Sequence, residues 1–236
     1  AVLSKKLAAI NIDSPVDYDW ESARIKDFYT QEAYDFFKEL EFKNFLSRFE
    51  DTGAPAEAEK SFSTVTELDQ AEEIIGKARQ KPELGLHILK ENGVFLGMGL
   101  SFSDEEKVLS YCFLPQGFLT EAYLLEQAQM LCQEAAMVSS LDVKSMLRHM
   151  DLENHTKMFD AGIAAYLLNP LKSAYTYDDI AKEYLGEMLP AKEDLLGKLN
   201  YTKGMKDQEE QAALSVCYMA YVLSLIHISE PTRLQL

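Results

Sequence analysis

The chain has 236 residues, 47% of them apolar and 26% charged, a balance that fits a globular protein with a sizeable core and excludes a disordered or fibrous one. No run approaches the ~20 apolar residues of a membrane-spanning helix, and the start, AVLSKKLAAINIDSP, lacks the apolar stretch of a secretory signal. The formal net charge of −16 argues against a domain that grips nucleic acid through its own surface, because acidic surfaces repel phosphates.

The absence of an initiator Met is read as the mark of a piece cut from a longer protein. Near the start, SKKLAAI predicts a short helix running into an extended exit, followed by the acidic stretch DYDWESARIKD. Thr30 is the expected N-cap of the next helix, with Glu32 in its first turn and Tyr34, Phe37 and Leu40 at helical spacing. FKNFLSRF predicts a further turn. Residues 50–60, EDTGAPAEAEK, offer almost nothing to bury and are assigned as a linker, which divides the chain into 1–49, 50–60 and 61–222.

Beyond the linker, Thr64 and Glu67 suggest a capping box for a helix carrying Leu68, Ala71, Ile75 and Ala78, stopped by Pro82. Three strand-like runs follow, at 84–89, 94–102 and 108–114. Asn92-Gly93 predicts a tight hairpin between the first two, and Asp104-Glu105-Glu106 a turn between the second and third. From Thr120 the period turns helical through Leu124, Ala128, Leu131 and Ala135, and MVSS is a candidate fourth strand. Helices are expected at about 142–150, 160–168, 177–186 and 206–222, with Asp142 and Thr176 as caps. The order βββαβα and then helices is that of a mixed α/β, ribonuclease H-like fold: a three-stranded antiparallel meander extended by a further strand, with packed helices, preceded by a small helical segment. Residues 223–236 do not continue the helix pattern. LSLIHISEPTR within them resembles translated read-through of a transposase-based sequencing adapter and is set aside from the fold; the competing reading is a genuine strand ending at Pro231.

Two stretches resemble bacterial DNA polymerase I, the family A repair polymerase. LSKKLAAINIDSPV with FFKELEFKNFLSRF is similar to the tail of that family's 5′ nuclease domain. FDAGIAAYLLNP at 159–170, followed by YDDIAKEYLG, is similar to its proofreading 3′→5′ exonuclease domain. The resemblance implies two metal ions held by four carboxylates in three motifs, since paired hard cations activate water and stabilise the leaving oxygen, and demand oxygen ligands. The Asp-x-Glu of the first motif falls on His87 and Leu89. The Asp of the second falls on Met146, two residues after Lys144, and the Tyr and Asp of the third fall on Ser215 and Met219. None of the four carboxylates is present, so the resemblance implies a vestigial proofreading domain, with His87, Leu89, Met146 and Met219 expected to converge in one filled, apolar spot at the sheet edge.

No catalytic, cofactor-binding or metal-binding residue is therefore assigned, and no cofactor is expected, although the parent polymerase would use magnesium. Lone among Leu and Ile, His87 reads as a core or edge histidine. His149 and His155, with Asp151 and Glu153, read as an exposed polar loop. Asp160 and Asp178-Asp179 read as helix-start acids. The tyrosines Tyr166, Tyr175, Tyr177, Tyr184, Tyr218 and Tyr221 have no basic residues among them and read as packing, not base stacking. Cys112, Cys132 and Cys217 lie apart in apolar runs, as buried thiols of a cytoplasmic protein do, and no CxxC or HxxxH pair offers a zinc site. The leading expectation is a monomeric scaffold that packs on the polymerase domain of its own parent chain and meets DNA only through that parent. Two alternatives stand beside it: an active exonuclease with ligands relocated to Glu91, Asp142 or Asp160, and an acidic module that docks a basic protein.

Overall fold

A six-stranded sheet in the order β1-β4-β3-β2-β5-β6 organises the molecule. The computed structural model describes residues 58–105, 107–150, 157–172 and 174–233, the stretch 29–40, and positions 8, 9, 19, 21, 24 and 42. Helix α1 (Gln31–Glu39) begins at Thr30, whose hydroxyl accepts the Ala33 amide at 3.2 Å. Most of the expected helix SKKLAAI, of the turn FKNFLSRF and of the linker lies outside the described residues.

The central meander is β2 (Glu83–Glu91), β3 (Val94–Asp104) and β4 (Lys107–Phe113), antiparallel throughout. Asn92 (φ 53°) and Gly93 (φ 80°) both take the left-handed conformation that the β2–β3 turn requires. Helix α2 (Leu68–Ala78) precedes the meander, and α3 (Glu121–Glu134), capped by Thr120, follows it. β5 (Met137–Ser140) then pairs parallel to β2 on its free edge. A meander extended in parallel beyond its first strand is the ribonuclease H-like arrangement, as expected from the element order.

Two strands escape the sequence pattern. β1 (Phe62–Val65) pairs parallel to β4, and β6 (Met158–Asp160) pairs parallel to β5. Runs of four and three residues are too short for a period to register. Because Thr64 belongs to β1, the capping box with Glu67 does not form, and Glu67 stands at the N-cap of α2 without a side-chain bond. Helix α4 (Val143–Leu147) ends before the expected 150, while α5 (Ala161–Leu168) matches its expected span. The stretch expected as one helix at 177–186 is a single turn, α6 (Tyr177–Ile180), continued by a π-helical turn (Ala181–Leu185) that Gly186 ends at φ 72°. Thr176 occupies the N-cap of α6, but its hydroxyl donates to Asp179 instead of accepting an amide.

After α7 (Lys192–Leu196), the expected helix at 206–222 divides into α8 (Tyr201–Asp207) and α9 (Glu209–Arg233). The expectation that the helix ends at Val222 is corrected, as is the alternative of a strand ending at Pro231. Leu223, Ser224 and Ile226 are buried, and Ser224 meets Ser101, hydroxyl to hydroxyl, at 2.9 Å in the interior. Among the described residues no helix is long and apolar enough to cross a membrane.

The two faces of the sheet are packed differently. Leu84, Leu86, Met98, Leu100 and Phe102 meet Ile75 of α2 and Leu124, Ala128 and Leu131 of α3 in one cluster. On the opposite face, Gly85 and Gly99 leave room for the backbone of α9. A Cβ at Gly85 would collide with the Ala220 carbonyl oxygen and lie 2.6 Å from the Ser224 nitrogen; one at Gly99 would lie 3.0 Å from a Val216 methyl. Gly85→Ala is therefore expected to lower stability by about 1–3 kcal/mol in urea melts, through forced separation of α9 from β2. Gly76→Ala in α2, where no atom lies within 4 Å of the new methyl, should be neutral or stabilise by up to ~1 kcal/mol.

Candidate functional site

Side chains alternate along β2, so His87 and Leu89 share with Gly85 the face that α9 covers. His87 pairs across the ladder with Gly99. Its Nδ1 is closed off from solvent and has no hydrogen-bond partner. Burial pushes the imidazole down to about 4, against the opposing pull of the Asp142 carboxylate, so the ring is neutral near pH 7. A cavity of about 190 Å³ adjoins it, lined by His87, Ser140, Asp142, Ser145, Met146 and His149, among others.

The positions read from the exonuclease motifs come together only in part. His87 and Met146 line this cavity. Leu89 is buried against Ala213, Val216 and Cys217 of α9, in a different cluster. Met219 is buried in a third, with Ala161 and Ala165 of α5 and Tyr177 of α6. The expectation of one shared apolar spot is corrected: Met146 lies in the cluster of α2 and α3, Leu89 and Met219 in two others, and this scatter counts against the motif placement read from the sequence. Ser215 is buried beside two tyrosines, with Tyr201 Oη at 2.8 Å and Tyr177 Oη at 3.4 Å, while Tyr177 also donates to the Pro190 carbonyl at 2.7 Å. Lys144 is exposed on α4.

Each acid named as a relocated ligand is engaged at a helix start. Asp142 caps α4, accepting the Ser145 amide at 2.9 Å and its hydroxyl at 2.6 Å, and the Ser145 hydroxyl is the main cause holding this carboxyl below its ordinary range. Asp160 accepts the Ile163 amide of its own helix and the Val143 amide of α4, both at 2.9 Å, and so ties α4 to α5. Glu91 stands at the start of α8, where it accepts the Tyr201 and Thr202 amides at 3.2 and 2.9 Å and the Thr202 hydroxyl at 2.6 Å. Burial opposes the Glu91 charge, but these bonds outweigh it and hold the carboxyl below the usual range. Among the described residues no three His, Cys, Asp or Glu side chains gather as a group that could hold a metal ion.

Of the remaining candidates, His149 is exposed at the cavity mouth, and His155, Asp151 and Glu153 lie outside the described residues. Asp179 is bonded by Thr176 and paired with Lys172 at 3.4 Å. Tyr218 packs edge-on to Phe62 and donates a hydrogen bond to Glu59; Tyr221 lies over the same Phe62 ring. All three cysteines are buried and free. The sequence reading missed Ser140 and Ser145 as lining residues. It also missed the seat of α9, for which Gly85 and Gly99 inside strand patterns were the available signal.

The sheet order and its packed helices define a mixed α/β domain of ribonuclease H-like arrangement. Over most of its length the chain is similar to DNA polymerase I of three bacteria. It is 25% identical to the protein of Bacillus subtilis (strain 168) over 84% of this chain and 22% of that protein, and 27% identical to that of Bacillus caldotenax over 77% and 20%. The protein of Caldicellulosiruptor bescii is 24% identical over 81% of this chain and 21% of its own length. The chain thus spans about a fifth of the length of the curated relatives it matches. No family model matches it. Among solved structures, the EXO domain of Aedes aegypti Nibbler superposes with a TM-score of 0.43 and 11% identity, covering 75% of this chain and 90% of that one.

The half-buried, neutral His87 has a consequence for pH. Its folded value of about 4 lies below the ordinary 6.5, so the unfolded chain binds the extra proton between these limits. Stability from this residue is full above pH 6.5 and falls as pH drops toward 4, by on the order of 2–3 kcal/mol. Denaturant melts of His87→Leu should show a shallower loss across that window than the unmodified chain, because the carboxylates act in both. Equal slopes would contradict a neutral imidazole at this position.

Proposed function

We propose that the chain is the exonuclease-like region of a DNA polymerase I in which proofreading is vestigial, and that its role is structural, toward the polymerase region of the same parent. One observation carries the reading: Leu89, Met146 and Met219, at positions where the resemblance implies metal-binding carboxylates, are buried among apolar side chains. A divalent ion placed there would lose its hydration and gain no oxygen ligands, which costs many kcal/mol. The acids named as relocated ligands, Glu91, Asp142 and Asp160, are already engaged at helix starts. On this reading the chain uses no metal or other cofactor, works in the cytoplasm, and meets DNA only through the parent. The acidity of the chain is consistent with that last point.

The purified chain is expected to leave 3′-labelled single-stranded DNA intact with magnesium or manganese over hours, followed on a denaturing gel. Degradation from the 3′ end that requires the metal and disappears in Asp142→Ala or Asp160→Ala would overturn the proposal in favour of relocated ligands.

A further inference from the structure

Two of the three buried thiols meet under α9. Cys112 points from β4 to the face that α9 covers, because its partner across the ladder is Gly99 and paired residues share a face. Cys217 comes down on the same strand from the helix. Its carbonyl accepts the Ser110 hydroxyl at 2.7 Å, two residues before Cys112, and its thiol points to the Ser63 carbonyl at 3.9 Å. Ser63 and Thr64 of β1 stand opposite Tyr111 and Cys112. Cys112 and Cys217 belong to one cluster, with Leu89 and Val216. The helix is seated closely enough for a covalent link. A Cβ at Gly99 would lie 3.1 Å from the Val216 carbonyl oxygen, and a disulfide needs Cα atoms about 4.4–6.8 Å apart. Cys132 belongs to the cluster on the opposite face of the sheet.

We propose that Cys112 and Cys217 form a redox-sensitive cross-link that locks α9 onto the sheet under oxidising conditions. Burial pushes the Cys217 thiol up to about 12 and the Cys112 thiol well above its ordinary value. Both therefore stay protonated and inert near pH 7 while the helix is seated, and the pair reacts when α9 lifts. The oxidant is a small disulfide such as glutathione disulfide. The thiolate of one cysteine attacks it, forming a mixed disulfide as the glutathione sulfur–sulfur bond breaks and one glutathione thiolate leaves. The thiolate of the other cysteine then displaces the second glutathione. Two electrons pass from the pair to the oxidant, and the two cysteine protons end on the two departing thiols. The closed loop spans most of the sheet and restricts the unfolded chain, so the bond favours the seated helix. Under reducing conditions the thiols pack as small apolar groups and the lock is open. This device is independent of the functional reading above.

The test holds the full chain with glutathione disulfide just below its melting midpoint, where α9 opens, then quenches with acid, alkylates and maps the peptides by mass spectrometry. The expected product is one internal bond between Cys112 and Cys217, with Cys132 outside it. The cross-linked chain should melt about 5–10 °C higher, and a reductant should return the midpoint to its starting value. Cys132→Ala should form the same bond with the same rise. Cys112→Ala should take up glutathione at Cys217 without the rise. Glutathione held separately on Cys112 and Cys217, bonds between chains, or thiols that survive opening of the helix would each overturn the proposal. So would a cross-linked chain that melts no higher than the reduced one.

Discussion

Helix α9 lies directly on the sheet because β2 and β3 present glycines where most strands present side chains. At Gly85 and Gly99 the helix backbone and the sheet backbone come within reach of a single added methyl. The buried hydroxyl pair Ser101–Ser224 and the bond from Ser110 Oγ to the Cys217 carbonyl at 2.7 Å fix the helix along its length. Of the described helices, α9 reaches every strand of the meander and also packs on β1 and β5. With α2 and α3 filling the other face, the sheet is covered on both sides, and its inner strands carry almost no exposed residues.

The same close seat shapes the site. It sets α9, with Ser215 and Met219, against the face of the sheet that carries His87 and Leu89. Leu89 and Met219 strengthen the helix–sheet and helix–helix contacts, and Ser215 is bonded between two tyrosines. His87 is the exception: a half-buried polar ring with its Nδ1 closed off and unpaired, beside a small cavity. Carboxylates at 89 or 219 would be charges without partners, which is why the positions cannot be judged one at a time.

What was legible in the sequence was local. Asn92-Gly93 set its hairpin, and Thr30, Asp142 and Asp160 cap the helices they precede, because turn and cap chemistry involve only a few neighbouring residues. The meander followed from three alternating runs. What stayed hidden depends on distant partners. FSTV becomes β1 because β4 has a free edge, and MFD becomes β6 because β5 does. The start of α8 at Tyr201 depends on Asn200 as a cap and on Glu91, more than a hundred residues away in the chain, binding the first amides of α8. Residues 223–226 were set aside on their spelling, yet they fill the seat that Gly85 opens.

Direct titration of manganese into the purified chain, read by the loss of the free-ion electron paramagnetic resonance signal, tests the central claim most closely. The account predicts no saturable binding at millimolar metal, because the positions that would carry the ligands are buried in apolar clusters. Saturable binding of one or two ions per chain, lost on substitution of Asp142 or Asp160, would contradict it.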